Sequence, residues 1–537
     1  MNHSVRTMTS TFLLTSVLLP LSLTCANHTA TAQDSSRASK EIPRLCDLDF
    51  KPLTDSMVKL DESRTRQITA LLTDASVPGM QDAMKGGKVT SEELTLYFLD
   101  RIRRYDGLLR SYTEINPRGL EEARAADRQR AEGTLRGPLH GIPINLKDNI
   151  GTAAPMHTTA GAEILLNHSP AKDATLVDQL RAAGAVILGK ASLSELAGVL
   201  TTHPPGYNAV SGIGVNPYRK GLPVSGSSSG SAISTSAFLT MVSVGTETSG
   251  SLISPGSLNG VVAMKPSLGV VSGEGIVPLV RYQDSAGPVA RSVTDAAVLL
   301  AAIDHNETDY AAGLNAKALE GVTVGILRTD VMGTKEPAKN AAWLKLIDEG
   351  LDKTKSLSRD VKLEGKVDLL PVIFLGLAHE TIGYLRAAGA PVNSLSDLQA
   401  YNEAKPETRI PRGQNMIEFG SRTVAALYKE KGIREEEKAQ TYEAAALKAR
   451  DATAAILFQA LTDNQVDLLV GLGNNHSEYY ATAGYPAITV PLGLDQNGVP
   501  HGVTFIGKRG EDAKLLAYAF AFEQATHYRV NPPPEGP

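Results

Sequence analysis

Ser225-Gly226-Ser227-Ser228-Ser229-Gly230-Ser231, then Ala237-Phe238-Leu239-Thr240-Met241-Val242-Ser243-Val244, then Gly245-Thr246-Glu247-Thr248-Ser249-Gly250-Ser251: this succession decides how the chain is read. Taken alone, the serine–glycine run has the composition of a flexible linker. A linker would stay polar, whereas this one runs straight into an apolar segment with a helix-to-strand pattern. Small residues inside buried elements let main-chain amides approach another group closely. The stretch from Gly221 to Gly260 is therefore expected to be packed and to carry chemistry.

Outward from it, helical and aliphatic segments alternate. A helical stretch lies near Arg64 to Leu72, and Thr90-Ser91-Glu92-Glu93 forms a capping box that opens a helix through Leu94, Phe98, Ile102 and Tyr105. Ser111 to Asn116 resembles a short strand, and Arg118 to Glu132 a helix stopping at Gly133. Ile142 to Leu146 is strand-like, Thr175 to Ala183 helical, Ala185 to Leu188 a buried strand, and Ser192 to Ala197 the start of another helix. Such alternation predicts a sheet covered on both faces. Residues 305–465 are charged, helical and poor in strand signals, with the longest helical pattern from Glu435 to Phe458, and are read as a helical insertion. Strands near Leu468 and Ala487 to Val490 and a helix from Asp512 to Thr526 close the fold. The proline-rich residues 531–537 read as a loose tail.

Apolar residues make up 42% of the 537 and charged residues 21%, enough for a sizeable core. The net charge of −5 offers no basic nucleic-acid face. At the N-terminus, Arg6 precedes the apolar run Phe12 to Leu23, and Ala30-Thr31-Ala32 supplies small residues before Gln33. That run is too short to span a bilayer comfortably, so residues 1–32 are predicted to be a removable secretory signal. Its removal takes away Arg6 and no acidic residue, moving the net charge from −5 to −6. The expected product is exported, periplasmic or extracellular, with no stable membrane insertion, and residues 33–60 lead into a domain spanning 61–530. It keeps only Cys46 of the two cysteines, so no internal disulfide can form.

A serine nucleophile needs a base, a proton route and amide N–H groups facing the developing oxyanion. His140, His157 and His203 stand in no recognisable triad context and read as loop or packing residues. A lysine can serve instead if burial makes its neutral form available near pH 7. Lys147 follows the apolar run Ile142-Pro143-Ile144-Asn145-Leu146, although a strand-end lysine alone would be read as a surface residue.

The wider context is a family resemblance. Gly137-Pro138-Leu139-His140-Gly141-Ile142-Pro143-Ile144-Asn145-Leu146-Lys147-Asp148-Asn149 resembles the lysine motif of the amidase-signature family, and Thr158-Thr159-Ala160-Gly161 its next segment. Gly226 to Ser231 is similar to the family's loop with a cis-peptide serine. Thr246 to Ser251, with Gly260-Val261-Val262-Ala263-Met264-Lys265-Pro266 after it, is similar to the nucleophile segment. Gln283 to Pro288, Gly484 to Pro491 and Ala519 to Thr526 continue the series, which covers roughly 85 to 527 and leaves the insertion unmatched. The resemblance implies one large α/β/α domain with a mixed central sheet covered by helices on both faces. It implies Ser251 as nucleophile, Ser227 as bridging serine and Lys147 as terminal base. It also implies an oxyanion hole from the main chain of Thr248, Ser249, Gly250 and Ser251, with Ser228 supporting the lysine end, and no metal or organic cofactor. The reaction implied is hydrolysis of a carboxamide through a serine acyl-enzyme.

Relatives often carry an aspartate where this chain has Glu247, a glycine where it has Ser249, and an arginine where it has Ile253. The Glu247 and Ile253 pattern resembles the branch containing bacterial peptide amidases, which remove a C-terminal amide from peptides. Esterase, aryl acylamidase or carbamate hydrolase activity on the same residues stays open, as does a non-catalytic binding protein of this fold. An amidotransferase subunit, also within the family, fits poorly with an export signal. The expected partner is a small-molecule or peptide amide, with no nucleic acid and with a homodimer among the assemblies expected. Two other patterns are rejected. Gly226 to Gly230 matches a G-x-S-x-G elbow, but Tyr218 to Pro223 is a poor strand to precede one. Gly184 to Ala191 nearly matches a P-loop, yet its aliphatic residues suit a buried strand.

Overall fold

The computed structural model describes residues 44–328 and 337–534, apart from 56, 58, 59, 203 and 368. The expected signal segment, the first part of the leader, His203 and the last three residues of the tail lie outside the described residues.

Eleven strands among the described residues form one sheet. In chain order they are β1 (Tyr112–Ile115), β2 (Pro143–Lys147), β3 (Val186–Ala191), β4 (Val242–Glu247), β5 (Val262–Lys265), β6 (Ser285–Ala290), β7 (Thr323–Leu327), β8 (Leu357–Val361), β9 (Leu468–Leu472), β10 (Ala487–Leu494) and β11 (Pro500–Ile506). Across the sheet they run β1-β3-β2-β4-β6-β5-β10-β11-β9-β7-β8. β2 is parallel to both β3 and β4, β9 and β8 are parallel to β7, and the remaining pairings are antiparallel. The sheet is thus mixed, and β2, β3, β4 and β6 are buried at every position, as strands covered on both faces must be.

Helices cover it. α1 (Ser91–Leu109) begins at the Thr90 capping box, buries Leu94, Phe98 and Ile102, and packs on β2 and β3. α2 (Ser229–Ser236) is buried along its whole length, which only its small side chains permit. α3 (Ile253–Leu258) follows β4 directly. α4 (Val293–Ile303) packs on β6, α5 (Lys438–Asp463) is the long helix of the charged region, and α6 (Asp512–Thr526) lies against β10.

Two elements differ from the sequence reading. Ser192 to Ala197 does not open an α-helix: a single 3-10 turn, Glu195–Gly198, contains Leu196 at φ 47° and Ala197 at φ 61°. Left-handed residues cannot propagate a right-handed helix. The stretch 305–465 also contributes β7 and β8 to the sheet. Leu357, Ser358, Arg359 and Asp360 of β8 are exposed at the sheet edge, so no apolar alternation marks that strand.

Candidate active site

The site is built where two parallel strands end side by side. β2 pairs with β4 through Ile144 with Val242 and Leu146 with Val244, so Lys147 at the end of β2 lies beside the end of β4. The turn after β4 carries Ser251 into α3, and α2 packs against both strands. The loop before α2 carries Ser227, which follows a cis peptide bond from Gly226.

Lys147 is fully buried. Its Nζ lies 2.8 Å from Ser227 Oγ, 2.8 Å from Thr246 Oγ1 and 3.1 Å from the Thr246 carbonyl oxygen. Burial draws the amine down from the ordinary lysine value to about 7, against the opposing pull of the Glu247 and Asp284 carboxylates. At neutral pH a substantial share of it is therefore uncharged.

Main-chain bonds tie the two serine segments together. Ser228 N–H donates to the Ser251 carbonyl at 3.0 Å, and Ser194 N–H donates to the Ser227 carbonyl at 2.9 Å. The Ser225 and Ser254 hydroxyls meet at 2.6 Å. Ser228 Oγ donates to the Thr246 carbonyl at 2.9 Å and accepts the Thr246 N–H at 3.2 Å, so it braces the residue that holds Lys147. Residues 214–226, immediately before Ser227, contain no strand, as a nucleophile elbow at Ser228 would require. Among the hydrogen bonds of the described residues, none joins Ser251 Oγ to Ser227 Oγ.

The turn itself presents amides. Among the described residues, no hydrogen bond takes the main-chain N–H of Thr248, Ser249, Gly250 or Ser251. Gly250 sits at φ +80°, and a side chain there would press within 3.1 Å of Asn474 and Ser477. The next two N–H groups, of Leu252 and Ile253, are taken by Glu247 Oε2 at 2.8 and 3.1 Å. The Glu247 carboxylate thus occupies the donors on the far side of Ser251. Thr248 Oγ1 donates to the half-buried Asp284 at 2.5 Å, and desolvation pushes that carboxyl up.

A cavity of about 340 Å³ opens against this turn. Asn149, Thr246 and Thr248 and the charged Glu247, Arg281 and Asp284 are among its polar residues, and Leu268, Val271, Ile276 and Leu279 among its apolar ones. The other candidates lie elsewhere. His140 Nε2 meets the Ala126 carbonyl at 2.9 Å and His157 Nδ1 meets Glu114 at 2.8 Å. Lys190 is buried in β3, its amine filled by Ile150 O, Thr152 Oγ1, His157 O and Thr158 Oγ1. Thr246 and Asn149, whose Nδ2 lies 3.0 Å from Thr246 Oγ1, are neighbours of Lys147 and of each other to which the sequence reading gave no role. Their membership of the lysine motif and of the segment from Thr246 to Ser251 was the signal.

A family model described as amidase matches residues 93–516. A probable amidase of Arabidopsis thaliana is 36% identical over 485 residues, covering 86% of this chain and 92% of that protein. The crystal structure of an amidase family protein from Bacillus anthracis superposes with a TM-score of 0.81 at 32% identity, covering 92% of this chain and 100% of that one. The native peptide amidase of Stenotrophomonas maltophilia superposes with a TM-score of 0.76 at 35% identity, covering 86% and 98%.

Proposed function

The chain belongs to the amidase-signature family of hydrolases acting on amides, and we propose that it converts a carboxamide to an acid plus ammonia or an amine through an acyl-enzyme on Ser251. In this reading neutral Lys147 accepts the Ser227 proton while Ser227 accepts that of Ser251. The Ser251 oxygen attacks the amide carbon, and the oxyanion is met by the main-chain N–H groups of residues 248–251. The proton returns along the same route to the leaving amine, and water then hydrolyses the ester. The observation that carries this reading is the buried Lys147 amine, held near neutrality 2.8 Å from the Ser227 hydroxyl. The remaining contact, Ser251 to Ser227, closes when a substrate carbonyl enters the turn; catalytic hydrogen bonds are often longer before substrate binds.

Among carboxamides, the C-terminal amide of a peptide is the class we favour. The likeness to the Stenotrophomonas peptide amidase supports it, as does a pocket wall combining apolar residues with polar ones such as Asn149 and Thr248. The test is a hydrolysis panel of peptide amides, aryl acylamides, aliphatic amides, esters and carbamates, run on wild type and Ser251→Ala. Peptide amides are expected to show the highest kcat/KM. Ser251→Ala is expected to lose at least about 10⁴-fold in kcat. Mass spectrometry of quenched wild type is expected to find the acyl group on the peptide containing Ser251. Substantial turnover by Ser251→Ala would remove it as nucleophile.

A further inference from the structure

An uncharged amine has two hydrogens and one lone pair, while Lys147 Nζ has three polar neighbours. The Thr246 carbonyl oxygen can only accept, so it takes one N–H. That leaves two hydroxyls, Ser227 Oγ and Thr246 Oγ1, each at 2.8 Å. One must accept the second N–H, and the other must give its own hydrogen to the lone pair. Only if Ser227 is the giver can the amine act as a base for it. Around the amine the two arrangements have the same number of hydrogen bonds, so something outside must break the tie.

Asn149 supplies the difference. Its carboxamide faces Thr246 Oγ1 with both ends, Nδ2 at 3.0 Å and Oδ1 at 3.4 Å. Whichever end carries the oxygen, an acceptor lies within reach of the Thr246 hydroxyl hydrogen. The Thr246 oxygen then has its lone pairs left for N–H donors, and Lys147 is one of them. The position of Asn149 is itself fixed. It is 3% exposed, and its carbonyl accepts the Val277 N–H at 2.8 Å.

We propose that Asn149 is a positioning residue that takes the Thr246 hydroxyl hydrogen and so turns the lone pair of Lys147 toward Ser227. The inference rests on the reading of Lys147 as the base. In Asn149→Ala the Thr246 hydroxyl becomes free to donate to the amine, which then donates to Ser227 instead of accepting from it. The expected result is a fall of roughly tenfold in kcat with KM held within about twofold. Adding Thr246→Val to Asn149→Ala removes the competing hydrogen, so the double variant is expected to be faster than the single one. In a Thr246→Val background, adding Asn149→Ala is expected to change kcat little. A packing role alone would make each added substitution worse.

The measurement is kcat and KM for the four proteins, with Lys147→Ala alongside. An Asn149→Ala kcat within twofold of wild type, or a double variant slower than both single variants, overturns the positioning role. Those results with an inactive Lys147→Ala would leave the base intact and refute only this inference. An active Lys147→Ala would refute both.

Discussion

Lys147 shows how a functional residue works against the fold that holds it. Its amine titrates near 7 in the folded chain and near 10.4 once unfolded. Between those values the unfolded chain holds more protons, so this residue makes stability rise with pH from about 7 to about 10. Every tenfold loss of proton affinity on folding costs about 1.4 kcal/mol at neutral pH, offset in part by the bonds to Ser227 and Thr246. Lys147→Met is therefore expected to abolish turnover yet stabilise the protein by ~2 kcal/mol at pH 7, with the gain fading by pH 10. Thermal melts across that range are the check, and a gain independent of pH would contradict the burial argument. The same titration governs rate. Because the base must be neutral, kcat/KM is expected to climb with pH along an acid limb centred near 7 and then level off. Lys265, also buried and drawn down to about 8, donates to the carbonyls of Pro266 and Tyr485 and touches neither serine, so its replacement should leave that limb in place.

At the scale of elements, α2 explains why serine and glycine crowd the diagnostic stretch. A side chain on Gly230 would fall within 2.5 Å of the Ser192 carbonyl oxygen and also meet Ser192 N and Ser111 O, all of them main-chain atoms that cannot swing aside. Gly230→Ala must push α2 away from β1 and β3 and carry the Ser227 loop with it. We expect a loss of about 3 kcal/mol in stability together with a reduced kcat, measured by melts and by initial rates. An alanine variant with unchanged Tm and rate would show that the helix is not seated as described. This crowding is also what made the region legible from sequence. The Thr90 cap, the bounds of α6 and the strand ending at Lys147 could be read in the same way, because local chemistry fixes each of them. Ser192 to Ala197 could not. Its left-handed residues, Leu196 and Ala197, are imposed by tertiary contacts such as the Leu196 N–H to the Ala160 carbonyl at 2.9 Å. Nor could β8, whose solvated edge has the composition of a loop. Thr246 was given no role because its contributions, a carbonyl and a hydroxyl facing Lys147, depend on β2 and β4 lying side by side. Spacing along one chain carries no record of that.

For the molecule as a whole, the parallel pair of β2 and β4 sets both Lys147 and Ser251 at the same edge of the sheet, the edge at which strand ends in α/β folds commonly present their ligands. The opposite demand, holding the first described residues onto the domain, is met in part by an ion pair. Arg44 Nη2 lies 2.8 Å from Asp106 Oδ2 and 2.5 Å from the Asp106 carbonyl, while Leu45 N–H donates to the Val210 carbonyl at 3.0 Å. Asp106 is fully buried, and its other oxygen accepts the Ser111 N–H and hydroxyl, each at 2.6 Å. Burial pushes this carboxyl up, and Arg44 is the cation that opposes the push. Arg44→Ala would leave a buried carboxylate without its counter-charge, a change that costs about 3–5 kcal/mol. A carboxyl raised above its unfolded value contributes stability at low pH and loses it as pH rises through the folded value. The deficit of Arg44→Ala is therefore expected to be smaller at pH 4 than at pH 8, because protonation relieves the uncompensated charge and ionisation exposes it. Asp106→Asn, added to Arg44→Ala, removes the charge but keeps an acceptor for Ser111, so it should recover part of the loss at pH 8 and little at pH 4. Denaturant unfolding of the three proteins at the two pH values decides this. A deficit that does not change with pH, or a double variant less stable than Arg44→Ala at pH 8, would mean that Arg44 holds the segment by packing and not by its charge.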